Sequence, residues 1–441
     1  MLVIGGGPAG STIATLLARQ GRQVVVLEKA QHPRFHIGES LLPAGVPLLR
    51  ELGVADEVAA IGLPKWGVEF NSPQHSHRMA LEFSGAWDKG LPQAWQVRRA
   101  DFDDILFRNA ARAGATTLEG ASVQAVRFDD AGADVRAQLA DGSQRHWRAE
   151  FVVDASGRDT LLATQNGWKR RSRRHNSAAL YGHFRGARRL PGREAGHISI
   201  FWFQHGWFWF IPLADGSTSV GAVCWPHYLK SRQGSLRQFF MDTIAQAPRL
   251  AERLQGAELI GDQVWATGNY SYSADRCQGE RFLLLGDAYA FVDPVFSSGV
   301  HLAMVSAFEG ARVVQAHFEQ PTALAAERRR FDRVLRHGPR QFSWFIHRMT
   351  NPTLRDLFMH PQNPLRMQEA VLSLLAGDIY GKAPIWCSLG LFKAVYYTAS
   401  LLALPRTLRA AWQRRRNIRD VGALRGENVM VSGVQPQVGS R

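Results

Sequence analysis

The stretch Leu2-Val3-Ile4-Gly5-Gly6-Gly7-Pro8-Ala9-Gly10 decides the fold at the start of the chain. It joins a short apolar strand to a glycine-rich turn, and the apolar spacing from Ser11 to Gln20 then predicts a helix. A buried β run, Gln23 to Leu27, follows and ends in Glu28, eighteen residues beyond Gly10. A dinucleotide-binding loop requires this context of strand, turn, helix and acidic strand end. The sequence therefore predicts a Rossmann-like nucleotide-binding unit.

Each glycine of this loop has a distinct expected role. Gly5 allows the tight turn, Gly7 lets the backbone approach a pyrophosphate, and Gly10 allows close packing of the helix. Backbone N–H groups at the helix N-terminus would face the phosphate charge. Glu28 would accept hydrogen bonds from the adenosine ribose hydroxyls and repel a 2′-phosphate. The alternative interpretation is a tight strand-to-helix turn without a ligand.

A second acidic position lies far downstream, in Leu283-Leu284-Leu285-Gly286-Asp287-Ala288. Asp287 follows a buried strand, and its alternative role is that of a helix N-cap. The sequence contains no second GxGxxG for a nicotinamide cofactor. Together with Val153-Asp154-Ala155-Ser156-Gly157-Arg158, these features resemble the FAD monooxygenase superfamily of the para-hydroxybenzoate hydroxylase type. That resemblance implies that Asp287 holds the ribityl chain of FAD, and that Arg99, in an Arg-x-x-Phe-Asp pattern, lies near the flavin and pyrophosphate.

The predicted fold class is α/β. A Rossmann-like FAD-binding domain of the glutathione-reductase type is expected beside an antiparallel-sheet substrate domain and a helical C-terminal region. The expected FAD-binding domain comprises residues 1–175 and 275–320, with a substrate-side segment inserted at 60–100. The antiparallel-sheet domain is predicted over 176–274, the helical region over 321–420, and a flexible tail over 421–441.

Composition narrows the setting and the partners. The chain has 441 residues and a formal net charge of +15, which suits acidic partners, although a solvated basic surface is the ordinary interpretation. No nucleic-acid-binding motif accompanies the basic runs, so nucleic acid is not expected as a partner. Three widely spaced cysteines favour a reducing, cytoplasmic setting without a metal site. No secretory signal is expected, because the first residues already form a strand and a phosphate loop.

The apolar stretch from 388 to 404 is interrupted by Lys393, so a membrane-spanning helix is not expected. Its second part, Phe392 to Leu404, is followed by several arginines and could rest on a membrane surface. Packing in the protein core is the favoured interpretation of this part.

Three further motifs select the chemistry. Trp207-Phe208-Trp209-Phe210-Ile211-Pro212 matches the WxWxIP motif of flavin-dependent halogenases, although an aromatic strand that ends at a proline has the same pattern. Phe291-x-x-Pro294-x-x-Ser297-x-Gly299 matches the halogenase pattern FxxPxxSxG, with simple helix capping as a compatible alternative. Lys65 stands in a KxGxxF context like that of the halogenase active-site lysine. The loop Arg34 to Pro43 resembles the flavin-covering loop of the phenol- and pyrrole-type enzymes.

The resemblance to the flavin-dependent halogenases implies a role for each motif. FADH2, supplied by a separate reductase, would react with O2 and bound chloride or bromide to give hypohalous acid. Lys65 would position that species by hydrogen bonding or as a haloamine for an electron-rich aromatic substrate. The halide would bind at Ser298 and Gly299, where backbone N–H groups open a helix. Trp207, Trp209 and Pro212 would form a barrier between flavin and substrate. The residues expected to contact FAD are Gly5, Gly7, Pro8, Ala9, Gly10, Glu28, Lys29, Gly38, Glu39, Ser40, Arg99, Asp287 and Gly299.

One departure bears on the substrate. Tryptophan halogenases carry a glutamate immediately before the Ser-x-Gly of the halide loop, where this chain has Phe296. A phenol or pyrrole needs that carboxylate less, because its own lone pair stabilises the ring cation. Glu69, His36 and Glu39 are candidate auxiliary groups. The resemblance also allows a substrate tethered to an acidic acyl carrier protein, which the positive charge would attract.

Two other function classes stay open at this point. The first is an FAD-dependent hydroxylase or related oxidoreductase that uses NAD(P)H and acts directly on its substrate. The second is a flavin-binding protein without halogenase activity, against which the intact Lys65 argues.

Overall fold

The structure is a computed structural model that describes residues 1–172, 175–268, 271–381 and 383–419. Strands and α-helices are numbered in chain order within these residues. The predicted tail, 421–441, lies outside them. The domain boundaries given above stay predictions.

A five-stranded parallel sheet forms the nucleotide-binding side, with the strand order β20-β11-β1-β2-β7. Its strands are β1 (Leu2–Ile4), β2 (Val25–Leu27), β7 (Thr116–Leu118), β11 (Val152–Asp154) and β20 (Phe282–Leu284). Helices α1 (Pro8–Arg19), α4 (Arg99–Arg112) and α9 (Gly299–Glu319) pack together beside the sheet. The strands read as continuous apolar runs because parallel sheets are buried on both faces. This arrangement confirms the Rossmann-like prediction.

Residues 121–154 alternate and contain an Asp-Gly turn, a pattern that predicts a small antiparallel unit, and they form one. It is a three-stranded meander of β8 (Ser122–Asp129), β9 (Gly132–Gln138) and β10 (Gln144–Ala149), and the chain then enters β11. The turn between β9 and β10 contains Asp141 and Gly142, and Gly142 has a φ of 83°, in the left-handed region that glycine favours.

An eight-stranded sheet forms the second layer, in the order β17-β13-β16-β15-β14-β4-β5 with β18 beside β13. Its strands are β4 (Gly67–Asn71), β5 (Arg78–Glu82), β13 (Ala178–Arg185), β14 (Ile198–Phe203), β15 (Gly206–Pro212), β16 (Ser217–Cys224), β17 (Glu258–Leu259) and β18 (Trp265–Thr267). Every pairing is antiparallel except that of β14 with β4. Residues 60–100 therefore enter this sheet through β4 and β5.

Two smaller sheets join these layers. Strand β3 (Leu63–Lys65) pairs with β6 (Ala94–Gln96), and β12 (Lys169–Arg171), β19 (Tyr272–Ala274) and β21 (Ala290–Phe291) form a three-stranded sheet.

The two faces of the eight-stranded sheet carry different aromatic residues. Because side chains alternate along a strand, Trp207, Trp209 and Ile211 of β15 share one face, and Phe208 and Phe210 lie on the other. The tryptophan face packs against the C-terminal helices. The phenylalanine face packs against helices α7 (Leu236–Ala245) and α8 (Pro248–Arg253).

Apolar spacing predicts a single helix at about 45–60, but the chain forms two helices there. A turn at Gly53, whose φ is 73°, separates α2 (Val46–Glu51) from α3 (Ala55–Ile61). Two short helices are α5 (Leu161–Gln165) and α6 (Pro226–Lys230). The C-terminal helices are α10 (Pro321–Ile346), α11 (Pro352–Met359), α12 (Met367–Ala376), α13 (Ile385–Leu402) and α14 (Leu404–Arg419).

Helix α13 is long and apolar enough to cross a membrane by length and composition, and 33% of it is buried in the protein. Phe392 and Tyr396 are buried, as core packing predicts. Leu401, Leu402 and Leu404 are 69%, 86% and 45% exposed. The core-packing expectation is therefore wrong for the end of this segment, because the chain turns away from the protein there.

Candidate functional site

A cavity of about 410 Å³ lies between the ends of the parallel strands and the tryptophan face of the large sheet. Open α/β sheets bind their ligands at the carboxyl ends of the strands, which is where this cavity begins. Its lining residues include Gly5, Gly7, Pro8, Ala9, Glu28, Lys29, Arg34, Gly38, Glu39, Ser40, Arg99, Arg158, Ile198, Trp207, Trp209, Asp287, Pro294, Ser297, Gly299 and Val300. Residues predicted from distant parts of the sequence thus meet around one space.

The glycine loop has the geometry that its three roles require. Gly5 has a φ of 96°, and a Cβ there would lie 2.5 Å from the carbonyl oxygen of Ala155. A Cβ at Gly10 would lie 1.9 Å from the carbonyl oxygen of Gly5, so the helix packs against the turn too closely for a side chain. A Cβ at Gly7 would meet only the Nη2 of Arg34, at 3.5 Å. The space beside Gly7 therefore opens into the cavity. A glycine at this position leaves that space free for a ligand.

Glu28 fixes the loop from the next strand. Its Oε2 accepts a hydrogen bond from the Gly6 N–H at 2.6 Å, and its Oε1 accepts one from the Ala30 N–H at 2.9 Å. The side chain is buried and still borders the cavity, so each oxygen keeps a lone pair for a ribose hydroxyl. Lys29 also borders the cavity, but its ammonium group is exposed and paired with Asp159.

Arg99 holds the loop between Arg34 and Ser40 in place. Its Nε and Nη2 donate to the two carboxylate oxygens of Asp103 at 2.9 and 3.1 Å, and its Nη1 donates to the Ile37 carbonyl at 2.8 Å. Arg34 reaches the same carboxylate at 3.2 Å. Burial alone would raise the pKa of Asp103, but the two guanidinium groups outweigh it and hold the pKa below its usual value. Gly38 is required here, because its φ is 96° and a Cβ would lie 3.0 Å from Nη1 of Arg99.

Asp287 borders the cavity within a 3-10 turn, Gly286–Ala288. It does not cap a helix, so the alternative interpretation of this residue is wrong. Burial raises the pKa of its carboxyl group to about 6, because desolvation disfavours the charged form. Its position suits a hydrogen bond to a hydroxylated chain such as ribityl.

The candidate halide loop follows a 3-10 turn, Pro294–Phe296, which Asp293 stabilises. One oxygen of Asp293 accepts from the Val295 N–H at 3.3 Å, and the other contacts the Ser177 hydroxyl at 2.7 Å and His175 Nε2 at 2.9 Å. Ser297 then takes a left-handed conformation, with a φ of 56°. This sharp bend turns the first residues of α9 toward the cavity.

The two halide candidates differ in position. Gly299 and its neighbour Val300 border the cavity at the N-terminus of α9. Ser298 is buried at the N-cap position, but its side chain makes no capping hydrogen bond and does not border the cavity. Helix capping by its side chain therefore does not explain the serine at position 298.

Lys65 lies just behind the cavity wall. Its side chain is 1% exposed, and its Nζ donates to the Leu41 carbonyl at 2.9 Å and lies 5.2 Å from the centre of the Phe83 ring. Burial without a carboxylate partner lowers the pKa of this amine to about 7. Lys65 does not itself border the cavity, whereas Ser40, which precedes Leu41, does.

The tryptophans and the proline of β15 also differ. Trp207 and Trp209 border the cavity, and so does Ile211. Pro212 ends the strand and is not among the lining residues. The Nε1 of Trp209 donates to Ser219 at 3.1 Å, and its ring lies over Gly221, where a Cβ would be 2.1 Å from the indole.

The three auxiliary candidates are placed differently from one another. Glu69 pairs with Arg253 at 3.0 Å and does not border the cavity. Glu39 borders it but pairs with His183 Nε2 at 2.7 Å. His36 borders it too, and burial with the nearby Arg99 lowers its pKa to about 4, so its ring is neutral at pH 7.

Several site residues had no signal in the sequence. Arg34 and Arg158 belong to segments that resemble the family, but the sequence predicts no role for their side chains, and both line the cavity. His183, which pairs with Glu39, lies in no motif. His197 is 1% exposed and packs over Gly67, two residues beyond Lys65. Only the pairing of β14 with β4 brings it there, and that pairing is not readable from local patterns.

Comparison with known proteins agrees with this geometry. The sequence profile of the FAD binding domain family matches residues 1–323. The flavin-dependent halogenase armH4 of Armillaria mellea is 37% identical over 346 residues, which cover 72% of this chain and 65% of that protein. The solved structure of the myxobacterial chondrochloren halogenase CndH is 34% identical with a TM-score of 0.76, and the match covers 87% of this chain and 91% of that one. The chain belongs to the flavin-dependent halogenase family. FAD is its cofactor, as the motifs predicted, and the family is one of FAD-dependent oxidoreductases.

Two further findings concern the length of the matched relatives and the range of proteins that share this fold. The chain spans about 65% of the length of the first curated relative it matches. A flavoprotein/dehydrogenase from Cytophaga hutchinsonii has a TM-score of 0.83 at 29% identity, and the match covers 91% of this chain and 98% of that one. The same fold therefore also occurs in a protein described as a flavoprotein/dehydrogenase.

Proposed function

We propose that this chain is an FADH2-dependent halogenase that transfers chloride or bromide, as an electrophile, to a phenolic or pyrrolic ring through Lys65. The main support is the buried Lys65 amine, which has no acidic partner among the described residues and donates to the carbonyl of Leu41, the neighbour of the cavity-lining Ser40. Bound reduced flavin would activate O2, and O2 would supply the oxidising equivalents that convert halide to hypohalous acid.

The cavity fits FAD at several points. Gly7 leaves room beside the N-terminus of α1, where unpaired N–H groups suit a pyrophosphate. Glu28 would take the ribose hydroxyls, Asp287 the ribityl chain, and Arg99 the side near the flavin. Gly299, at the N-terminus of α9, would hold the halide in the cavity that Trp207 and Trp209 also line.

Lys65 then acts through its lone pair. A pKa of about 7 leaves much of the amine neutral at neutral pH, so that Nζ attacks the halogen of hypohalous acid. An N–halogen bond forms, the O–halogen bond breaks, and water leaves. The aromatic ring next attacks the halogen: a C–halogen bond forms, the N–halogen bond breaks, and the ring loses a proton. The amine is restored. Hydrogen bonding of intact hypohalous acid to Lys65 is the competing role.

The position of Phe296 supports a self-activated ring. Phe296 is buried and packs against Phe342 and Phe345 rather than lining the cavity. No carboxylate stands at this position to stabilise a ring cation, so the substrate's own oxygen or nitrogen lone pair must do so. The separate reductase and the carrier-protein tether are further parts of the proposal.

The test is an assay with FAD, a flavin reductase, NADH, O2, bromide or chloride, and a free phenol or pyrrole, read by mass spectrometry. We expect a halogenated ring with wild-type protein and with Lys230→Met, which alters an exposed lysine. Lys65→Met should lose the ring product and still release hypohalous acid, which a chemical trap would capture. If Lys65 acts as a nucleophile, the wild-type rate should rise as pH increases through 7; a rate that falls would indicate the hydrogen-bonding role.

The similarity to a flavoprotein/dehydrogenase supports one competing function, an FAD oxidoreductase that acts directly on its substrate. In that case, NAD(P)H would reduce the bound flavin without an added reductase, and the product would carry no halogen. Oxygen insertion or dehydrogenation under the same conditions would replace the halogenase proposal.

A tethered substrate is tested separately. The same ring is offered free and attached to an acyl carrier protein, and the rates are compared at low and high salt. A strong preference for the tethered form that high salt abolishes would support the tether. Equal turnover of the free ring would remove it from the proposal.

A further inference from the structure

We propose that the outer face of α14 and the end of α13 bind the surface of a lipid bilayer that contains anionic lipids. This C-terminal face consists of five exposed apolar side chains and three arginines. The apolar members are Leu401, Leu402, Leu404, Leu408 and Trp412, which are 69%, 86%, 45%, 57% and 65% exposed. The basic members are the exposed residues Arg409, Arg415 and Arg416. None of these residues belongs to the cavity described above.

Helical spacing explains why these residues point outward together. Leu404, Leu408 and Trp412 lie at intervals of four residues and share one side of α14. The opposite side rests on the protein, where Thr407 contacts Thr353 at 3.5 Å and Arg414 is partly buried. Arg406 pairs with Asp356 of α11 at 2.6 Å. The inner side thus anchors the helix, and the apolar outer side has no cover among the residues that the structure describes.

The charge of this region has one sign. Residues 385–419 contain seven Lys or Arg and no Asp or Glu. Across the described parts of the chain, Arg409, Arg415 and Arg416 make no ion pair. Such a basic surface is complementary to anionic headgroups. Each arginine that lies near the membrane surface contributes to binding.

The arrangement of apolar and basic groups favours a bilayer over a protein partner. A protein interface usually has an apolar centre with charges at its rim. Here apolar and basic side chains alternate along α14, and the Arg416 guanidinium carbon lies 5.8 Å from the centre of the Trp412 ring. A helix with tryptophan and leucine beside arginine is typical of segments that lie in the headgroup region.

The geometry indicates a surface contact rather than a span. Helix α13 is held to the protein by the buried residues Leu389, Phe392 and Tyr396. Only its end, at Leu401 and Leu402, leaves the protein and continues into α14. The face therefore presents a shallow apolar ridge, bordered by arginines, without requiring the protein to unfold.

The test is co-sedimentation of the full chain with vesicles of phosphatidylcholine, with and without phosphatidylglycerol, at low and high salt. We expect binding to the anionic vesicles that weakens as salt is raised. Arg409→Gln/Arg415→Gln/Arg416→Gln should reduce the partition coefficient on the order of 100-fold, at roughly fivefold for each arginine. Leu408→Ser/Trp412→Ser should also abolish binding at low salt.

Matched variants on the β8–β10 meander serve as controls. Arg127→Gln/Arg136→Gln/Arg145→Gln removes three exposed arginines there, and Phe128→Ser removes an exposed aromatic ring. Both should bind vesicles as the wild type does. Equal loss in the control and test variants would show attraction by net charge alone and overturn the proposal. Association with an acidic protein but not with vesicles would also overturn the proposal. Reversible dimerisation that Trp412→Ser abolishes would overturn it as well.

Discussion

At the scale of single residues, Lys65 owes its properties to burial. Its ammonium group is removed from water, and its only hydrogen-bond acceptor within the described chain is the Leu41 carbonyl. A neutral acceptor does not offset the loss of hydration, so the charged form is disfavoured and the pKa falls to about 7. The same burial that leaves much of the amine neutral at pH 7 therefore opposes folding when the amine is protonated.

We expect Lys65→Met to stabilise the protein most at low pH. The unfolded lysine has a pKa near 10.5 and the folded one near 7, so between these values the unfolded state binds the additional proton. Wild-type stability should then rise relative to the variant by about 1.4 kcal/mol per pH unit from pH 7 to 9. Denaturant unfolding of both proteins from pH 6 to 9 checks this slope. A difference that does not change with pH would mean that Lys65 keeps an ordinary pKa.

Gly7 and Gly10 separate cofactor binding from folding. Gly7→Ser should cost under about 1 kcal/mol of stability, because its Cβ has room and serine is a good N-cap residue. It should nevertheless weaken FAD binding at least about tenfold by occupying the pyrophosphate space. Gly10→Ser places a Cβ 1.9 Å from the Gly5 carbonyl oxygen, so roughly 1–3 kcal/mol of stability should be lost. FAD titration and urea unfolding of both variants measure the two effects, and equal behaviour of the two would contradict the assignment.

At the scale of elements, β15 gives the site its aromatic wall. Alternation along the strand directs Trp207 and Trp209 to the cavity side and Phe208 and Phe210 to the opposite core. Ser219 of the neighbouring strand β16 accepts a hydrogen bond from the Trp209 indole. The same strand carries Gly221, against which the indole ring packs. The wall thus depends on a glycine in another strand as much as on its own motif.

Gly221→Ala should displace Trp209, since a Cβ would lie 2.1 Å from its ring. We expect a loss of about 1–3 kcal/mol in the free energy of unfolding and less halogenated product per NADH consumed. Gly390→Ala in α13 is the matched control, because a Cβ there meets nothing within 4 Å. That control should be neutral or up to about 1 kcal/mol more stable. An unchanged product yield in Gly221→Ala would show that the position of Trp209 does not matter for the reaction.

At the scale of the whole molecule, the cavity lies between two layers. The parallel sheet contributes the glycine loop and Glu28, and the eight-stranded sheet contributes Trp207 and Trp209. The N-terminus of α9 completes it between them. A cofactor bound there contacts both layers, so its binding energy should stabilise them together.

Thermal unfolding should therefore show one transition that FAD raises. At an FAD concentration of one hundred times Kd, the expected stabilisation is about 2.7 kcal/mol. Gly7→Ser should show little rise at the same concentration, since it lacks room for the pyrophosphate. Scanning calorimetry with and without FAD checks this. Two transitions, of which FAD moves only the first, would show that the layers unfold independently.

The sequence by itself determined the parts that depend on local periodicity and fixed spacing. The apolar runs and the turn glycines predict the β1-α1-β2 unit, and period-two alternation predicts β15 and the meander. The Gly-Asp and Ser-x-Gly motifs fall at strand and helix ends, and their resemblance to the family motifs placed Asp287 and Gly299 near the cofactor, where both border the cavity. Chain direction and hydrogen-bond periodicity are local properties, and local residues encode them.

Only the tertiary structure decided which of these motifs meet and which side chains keep contact with water. Lys65 carries a low pKa because strands and loops from elsewhere bury it, and Arg34, His183 and His197 reach the site region through pairings far apart in the sequence. Pro212 and Ser298 belong to the motifs but do not line the cavity. The end of α13 is as apolar as a core segment, yet it lies in solvent, because burial depends on which surfaces the fold brings against it. Burial and proximity are properties of the assembled chain, and spacing along the sequence does not specify them.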